Sequence, residues 1–516
     1  MSLIKKGLIA SALGLTLGLG ACKKDFLDRV PSDQVVIDSV FNNIDGARAA
    51  IQGLNRSMYR IPNDGREETF GQKGIDLMLD LMGDDIALSG TGAGWHVEVA
   101  RYTPMISGGA PLSYMWTFNY GIINNANRIL FHVDEIKDGT EEEKAIIKAQ
   151  AKTYRAYAYF ALVQHYQFPY VRHRNEPGVP IYTEPTREGK ARSTVEEVYK
   201  LIIDDLKDAE ELFDFAGYDP RSHISDINKS VTQGLLARVY LTKYDFTNAA
   251  DYARKARQGY NLMTKAQLTG GFNLSNGEWM WGSSLNDEQS TPYKSFLSHM
   301  DYDAQGYAAL GMQKLINRFI WRSTPETSWG ENDIRREWFY ASREGSKAAL
   351  SQKKFRVRTK GSSATDLSYM RASEMYLIEA EAEAILGNEP LARQVLQELI
   401  EIRNSDYDVD LAAADQIELI KEIHLQRRIE FWGEGLRFLD IKRQLYYGPI
   451  LNGLGGLVVY TENELGSHRE LAGGSSLAFY PNATVAPFIS GIVNPLFRSR
   501  IPGSEIETNP NMEQNL

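Results

Sequence analysis

The stretch STVEEVYKLIIDDLKDAEELF, residues 193–213, constrains the fold of this chain more than any other. Val195, Val198, Ile202, Leu206, Ala209 and Phe213 recur every three or four residues and therefore line one face of an α-helix. Such a helix is stable in water only when its apolar face packs against neighbours, so the chain must supply further helices. A second one runs through KAIIKAQAKTYRAYAYFALVQHY, residues 144–166. Thr140 and Glu143 ahead of it have capping-box spacing, as Ser193 and Glu196 have ahead of the first.

Two later segments repeat a pattern of helix, tight break and helix. In SVTQGLLARVYLTKYDFTNAADYARKARQGY, residues 230–260, Tyr244-Asp245 separates two helical patterns. In RASEMYLIEAEAEAILGNEPLARQVLQELIEIRN, residues 371–404, Gly387-Asn388 stops the first helix and Pro390 suits the first position of the second. These units are similar to tetratricopeptide helix hairpins, at irregular spacing, and predict a mainly α fold built on a diverged hairpin scaffold. Between the helical blocks lie long stretches without clean periodicity, roughly 62–112, 264–345 and 446–500. The first two hold Trp95, Trp279, Trp281, Trp321, Trp329 and Trp338, a composition that argues for ordered loops, since disordered tracts are poor in aromatics.

At the start, Lys5 and Lys6 precede an apolar Gly/Leu/Ala segment that ends near Leu19, the zones of a secretory signal too short to be a spanning helix. It ends in LGAC, residues 19–22, which holds the one cysteine of 516 residues. The tetrapeptide resembles a bacterial lipobox, which implies a signal peptide over residues 1–21 and lipid attachment at Cys22; the alternative is a free thiol in an ordinary signal tail. Each buried acyl methylene contributes about 0.8 kcal/mol, so several chains on Cys22 would tether the protein stably. No thiol then remains for a disulfide or a cysteine metal site. With 43% hydrophobic residues the core alone can carry stability, and a net charge of −10 opposes non-specific attraction to nucleic acid.

No phosphate loop, HExxH, nucleophile elbow or metal-spaced histidine pair occurs, and GTGAG at 90–94 is not the dinucleotide pattern. Of the adjacent carboxylates Asp84-Asp85 and Asp204-Asp205, the second pair reads as the solvated face of a helix. A glycosidase needs two carboxyls roughly 5 to 9.5 Å apart, which leaves Asp84 or Asp85 with a distant partner as an open alternative. In QRRIEFWGEGLRFLDIKR, residues 426–443, Glu434, Arg437 and Asp440 recur every three residues and could pair with one another; the segment reads as a partly buried ion-pair network rather than an active site.

A family resemblance rests on several of these pieces taken in order. CKKDFLD followed by Pro31, WTFNYGIINNANRIL (116–130), YRAYAYFALVQHY leading to Pro169, and GVPIYTEPT before RSTVEEVYKLIIDDL resemble the SusD/RagB family of nutrient-binding lipoproteins. So do YMRASEMYLIEAEAEA, RRIEFWGEGLRFLDIKR and the closing IPGSEIETNPNMEQN, where Pro502, Glu505, Asn509, Pro510, Gln514 and Asn515 follow the family's pattern. Gln426 stands where such proteins usually have Glu, YQFP lacks the usual Gly after Tyr166, and Asp25 is the only near acid after Cys22.

The resemblance implies a tetratricopeptide-like scaffold over residues 22–516, with an N-terminal part to about 220, a C-terminal part from about 221, and long irregular loops forming the ligand face. It further implies a lipid-anchored protein on a Bacteroidetes-type outer membrane. There it would act as a lid on a SusC-like TonB-dependent transporter, capturing oligosaccharide without transforming it and without a cofactor. The family's ligand residues fall before the YGIINNANR helix and ahead of the turn at Asp333–Arg335. Here those regions offer Trp95, beside His96, with Trp281, Tyr293, Tyr302 and Tyr307 as stacking platforms and Asp84 and Asp85 as hydroxyl acceptors; Trp116 and Trp432 belong to the core. No metal ligand is expected. A peptide-binding lid of the same type, a surface glycoside hydrolase and a purely structural helical adaptor are the alternative readings.

Overall fold

Helices start where side chains satisfy their free backbone groups, and the caps locate most elements of this chain. The computed structural model describes residues 40–88, 95–100, 108–218, 223–310, 313–316, 318–444 and 498–515, so the expected anchor at Cys22 and most of the 446–500 stretch lie outside the described residues. The longer helices are α1 (Ile44–Ser57), α2 (Gln72–Met82), α3 (Ala110–His132), α4 (Glu141–Tyr166), α5 (Val195–Ala216), α6 (Lys229–Lys243) and α7 (Phe246–Ala256). They continue with α8 (Ala372–Ile385), α9 (Glu389–Arg403), α10 (Gln416–Glu430) and α11 (Arg437–Gln444). The fold is mainly α.

Thr140 and Glu143 form the expected reciprocal cap of α4. On α5 the cap is Thr194 with Glu197, one residue beyond the expected pair. Ser193 exchanges backbone hydrogen bonds with Gly178 and Val179 of the preceding segment (2.6 and 3.2 Å), which ties it outside the helix and delays the first helical turn. Tyr244, at φ +63°, closes α6, and the Asp245 side chain caps α7. Gly387 likewise ends α8, while Pro390 occupies the second position of α9.

The helices pack as hairpins, α4 between α3 and α5, α6 on α7, and α8 against α7, α9 and α10. All six residues of the apolar stripe on α5 are buried, as are the alanines of α7 and α8. Close approach is built in at Gly234, where a Cβ would lie 2.5 Å from the Met370 sulfur. The solvated-face reading holds for Asp204, which pairs with Lys200, and fails for Asp205. Asp205 borders the buried stripe, where Arg155 of α4 meets it with two 2.7 Å hydrogen bonds.

The irregular stretches carry a core of their own. Two antiparallel strand pairs organise it: β1 (Ile86–Leu88) with β3 (Lys314–Ile316), Ile86 opposite Ile316, and β2 (Trp279–Leu285) with β4 (Thr365–Arg371), Gly282 opposite Ser368. Trp279, Trp329, Trp338 and Trp432 are all buried in this cluster, and Trp116 is buried in the helical one.

An internal ion-pair network joins the loop core to the last helices. Arg335, Arg371, Arg403 and Lys354 face Asp333, Glu278, Glu430 and Glu434, so the charges balance. Arg371 and Arg403 each reach Glu430 Oε1 at 2.9 Å. Glu434, Arg437 and Asp440 find other partners than one another: Glu434 meets Arg371 and Lys354 and Arg437 meets Asp84, all from distant segments, while Asp440 is held within its own segment by Arg427 and Arg443. Burial opposes ionisation of Glu434, but Arg371 and Lys354 hold its carboxyl down to about 2. Gln426 is also satisfied, accepting from Arg335 and donating to the Ser328 carbonyl, both at 2.7 Å. Gly435, at φ +82°, lies where a Cβ would come within 2.6 Å of the Asp76 backbone.

Candidate ligand-binding face

Three aromatic residues far apart in sequence meet at one surface. Trp95 and Tyr307 contact edge to face with ring centroids 6.3 Å apart, and Tyr293 meets Tyr307 in the same manner at 5.7 Å. Tyr293 is 41% exposed, Trp95 is half-buried and Tyr307 lies between them with 9% of its surface open. The short helix Phe296–Met300, capped by Ser295, sets the spacing between the two tyrosines.

Beneath Tyr307 a column of rings fixes its plane. His299 stacks on Tyr307 at 5.0 Å, and Phe70 stacks on His299 at 5.2 Å. His299 Nε2 lies 3.0 Å from the Glu67 carbonyl, which can only accept, so Nε2 carries the proton and Nδ1 accepts. His96 Nε2 then donates to that Nδ1 over 3.2 Å. The His96 backbone, at φ +68°, donates to Glu68 Oε1 (3.1 Å), which holds the turn that presents Trp95.

Burial, and then the charge of Lys314, push His299 well below its usual range; burial, His299 and Lys314 do the same to His96, so both rings are neutral. Burial also brings Lys314 down to about 7. Burial raises the Tyr307 phenol, and a hydrogen bond with Trp95 acts against it. One Glu67 carboxylate oxygen is buried without a hydrogen-bond partner among the described residues. Lys294 bridges the Pro62 carbonyl and Asp64, both at 2.6 Å, and so ties the 62–70 loop to the segment bearing Tyr293. Exposed ring faces held rigidly beside polar groups suit a ligand with apolar C–H faces and hydroxyls.

The structure thus brings together Trp95, Tyr293 and Tyr307, and places the remaining expected residues elsewhere. Trp281 has no exposed surface; its ring packs against Tyr154, Tyr157 and Tyr369, and no ligand face is left to it. Asp84 and Asp85 are also buried, because two adjacent carboxylates inside a protein need cations, and Arg428 and Arg437 supply them. Arg428 reaches Asp85 at 2.7 Å and Arg437 Nη2 reaches Asp84 at 2.9 Å, so neither acid is presented to a ligand hydroxyl or across a cleft. Tyr302 stands apart, flanking Lys347 opposite Tyr340. His299, Glu67 and Lys314 were not expected at this face; they reach it by contacts across some 200 residues, which no spacing rule reveals. Among the described residues no group of three or more His, Cys, Asp or Glu is placed to hold a metal, and no helix is long and apolar enough to cross a membrane.

Comparison with known proteins adds an independent line. A family model described as "Starch-binding associating with outer membrane" matches residues 95–241, and one described as "SusD family" matches residues 339–516. SusD-like protein P2 of Formosa agariphila is 30% identical over 245 residues, 46% of this chain; the match spans less than half of that relative, 44% of its length. The structure of a SusD-like carbohydrate binding protein from Bacteroides vulgatus is similar with a TM-score of 0.67 at 28% identity, over 78% of this chain and 83% of that one. A SusD superfamily protein from the same species shares the fold with a TM-score of 0.71 at 20% identity, over 92% and 99% of the two chains.

Proposed function

This chain belongs to the SusD family, and on that premise we propose that it is a glycan-binding protein whose ligand face is the Trp95, Tyr293 and Tyr307 cluster. The observation that carries the reading is the rigid aromatic surface itself. Two partly open rings stand on a third, whose plane is fixed by the stacked His299 and Phe70. Sugar rings offer C–H faces to such surfaces, and their hydroxyls seek the polar groups alongside. Preorganised rings also bind without first losing conformational freedom.

The family and the LGAC tetrapeptide support a wider reading, in which Cys22 is acylated and the protein sits on the outer membrane, passing captured oligosaccharide to a SusC-like TonB-dependent transporter. No step of this role transforms the glycan, and residues 22–516 act as one SusD-like unit. The test is isothermal titration of the protein against a panel of neutral oligosaccharides and short peptides. Saturable binding to one or more glycans is the expected result. Binding to peptides alone would reassign the cargo, and binding to neither would remove the reading.

A further inference from the structure

We propose that the chain carries a second carbohydrate-recognition site, in the cavity between α3, the 182–189 loop and the C-terminal segment. This inference rests on the glycan-binding reading above but on none of the same residues. The cavity has a volume of about 440 Å³ and is walled by Trp116, Tyr120 and Tyr182. A cavity of about 150 Å³ accommodates one benzene ring, so this one has room for a sugar of one to two rings and falls in the usual range for ligand sites.

The wall is held open. Trp116 and Tyr120 lie 4.8 Å apart, and Tyr120 meets Tyr182 edge to face at 5.9 Å. Each ring is pinned by its polar atom. The Trp116 indole donates to Glu505 (3.4 Å), the Tyr120 hydroxyl donates to the Pro180 carbonyl (2.9 Å), and the Tyr182 hydroxyl accepts from the Lys190 amide (3.0 Å). With these bonds made, none of the three rings is free to swing in and fill the space.

The rim supplies the polar half of a sugar site. Asn124 and Glu184 line the cavity without a hydrogen-bond partner among the described residues, and both have groups that a hydroxyl can bond. Glu184, Glu188 and Glu505 outnumber the two cations, Arg187 and Lys190, the latter 5.5 Å from the centre of the Tyr182 ring, so the rim carries a modest excess of negative charge. The site therefore takes neutral or amino sugars and disfavours uronates and sulfated sugars.

The test uses the full chain with maltotriose, cellotriose and chitotriose as probes and a trigalacturonate as the anionic control, read by titration stoichiometry and saturation-transfer NMR. Asn124→Trp fills the cavity, and Trp95→Ala removes the first face. Thr117→Arg, on the exposed rim, serves if the first cavity variant melts early. The expected result is that Trp95→Ala retains binding of at least one neutral trisaccharide, that adding either cavity variant weakens it at least tenfold, and that trigalacturonate does not compete. Loss of all sugar contact in Trp95→Ala, or residual binding indifferent to both cavity variants, overturns the second site and leaves the first standing. Absence of sugar binding to the unmodified chain overturns the glycan reading itself and this inference with it.

Discussion

At the scale of single residues, truncating an indole has opposite consequences at two positions. Trp281→Ala would leave a hole among Tyr154, Tyr157 and Tyr369 and is expected to cost about 3–5 kcal/mol, read as a large fall in the midpoint of denaturant unfolding. Tyr293→Ala removes a ring that is 41% exposed, and is expected to change stability by less than about 1 kcal/mol while weakening glycan binding. An unchanged affinity in Tyr293→Ala would take that ring out of the site. The sequence could not separate these cases, because both aromatics lie in stretches without periodicity and their burial is decided by neighbours distant in the chain. The same holds for Asp84 and Asp85. Their adjacency was legible, and their arginine partners, more than 340 residues away, were not.

Among elements, the helices were the most legible part of the fold, since the stripe on α5 and the caps depend only on near neighbours. Ser193 shows the limit, because its bridge to Gly178 and Val179 is a contact between segments that moves the cap by one residue. Thr194→Ala is accordingly expected to cost about 1 kcal/mol, and Ser193→Ala much less, as measured by chemical denaturation. Equal losses at the two positions would contradict the assigned cap. The ion-pair network makes a sharper case. Glu430→Gln leaves Arg371, Arg403 and Arg335 short of one charge in a dry interior and is expected to destabilise by about 3–5 kcal/mol. A loss below about 1 kcal/mol would mean that water reaches these groups.

For the whole molecule, acid is the informative stress. His96, His299 and His165 all have folded-state pKa values below the usual 6.5, His165 at about 3, chiefly through burial. The unfolded chain therefore binds more protons, so the stability held in their neutral forms is complete above pH 6.5 and is lost as pH falls below it. Glu434, held at about 2, extends the loss from about pH 4.5 downward. Unfolding midpoints are expected to decline from pH 6.5 to 4, and His299→Phe, which keeps a ring in the stack but cannot take up a proton, is expected to flatten that slope. A slope unaltered by His299→Phe would show that His299 does not take up a proton on unfolding in this range.

The ligand face joins these scales, since the Trp95 turn and Tyr307 rest on the neutral histidine pair and the loop core beneath it. The most direct measurement is therefore the affinity of Trp95→Ala, with the second cavity filled by Asn124→Trp, for whichever glycan the chain carrying Asn124→Trp alone binds, taken beside its thermal melt. An affinity reduced at least tenfold, about 1.4 kcal/mol, with a melting temperature within a few degrees of the chain carrying Asn124→Trp alone is the expected result. Undiminished affinity in a normally folded Trp95→Ala whose second cavity is also filled by Asn124→Trp would contradict the placement of the ligand face at Trp95, Tyr293 and Tyr307.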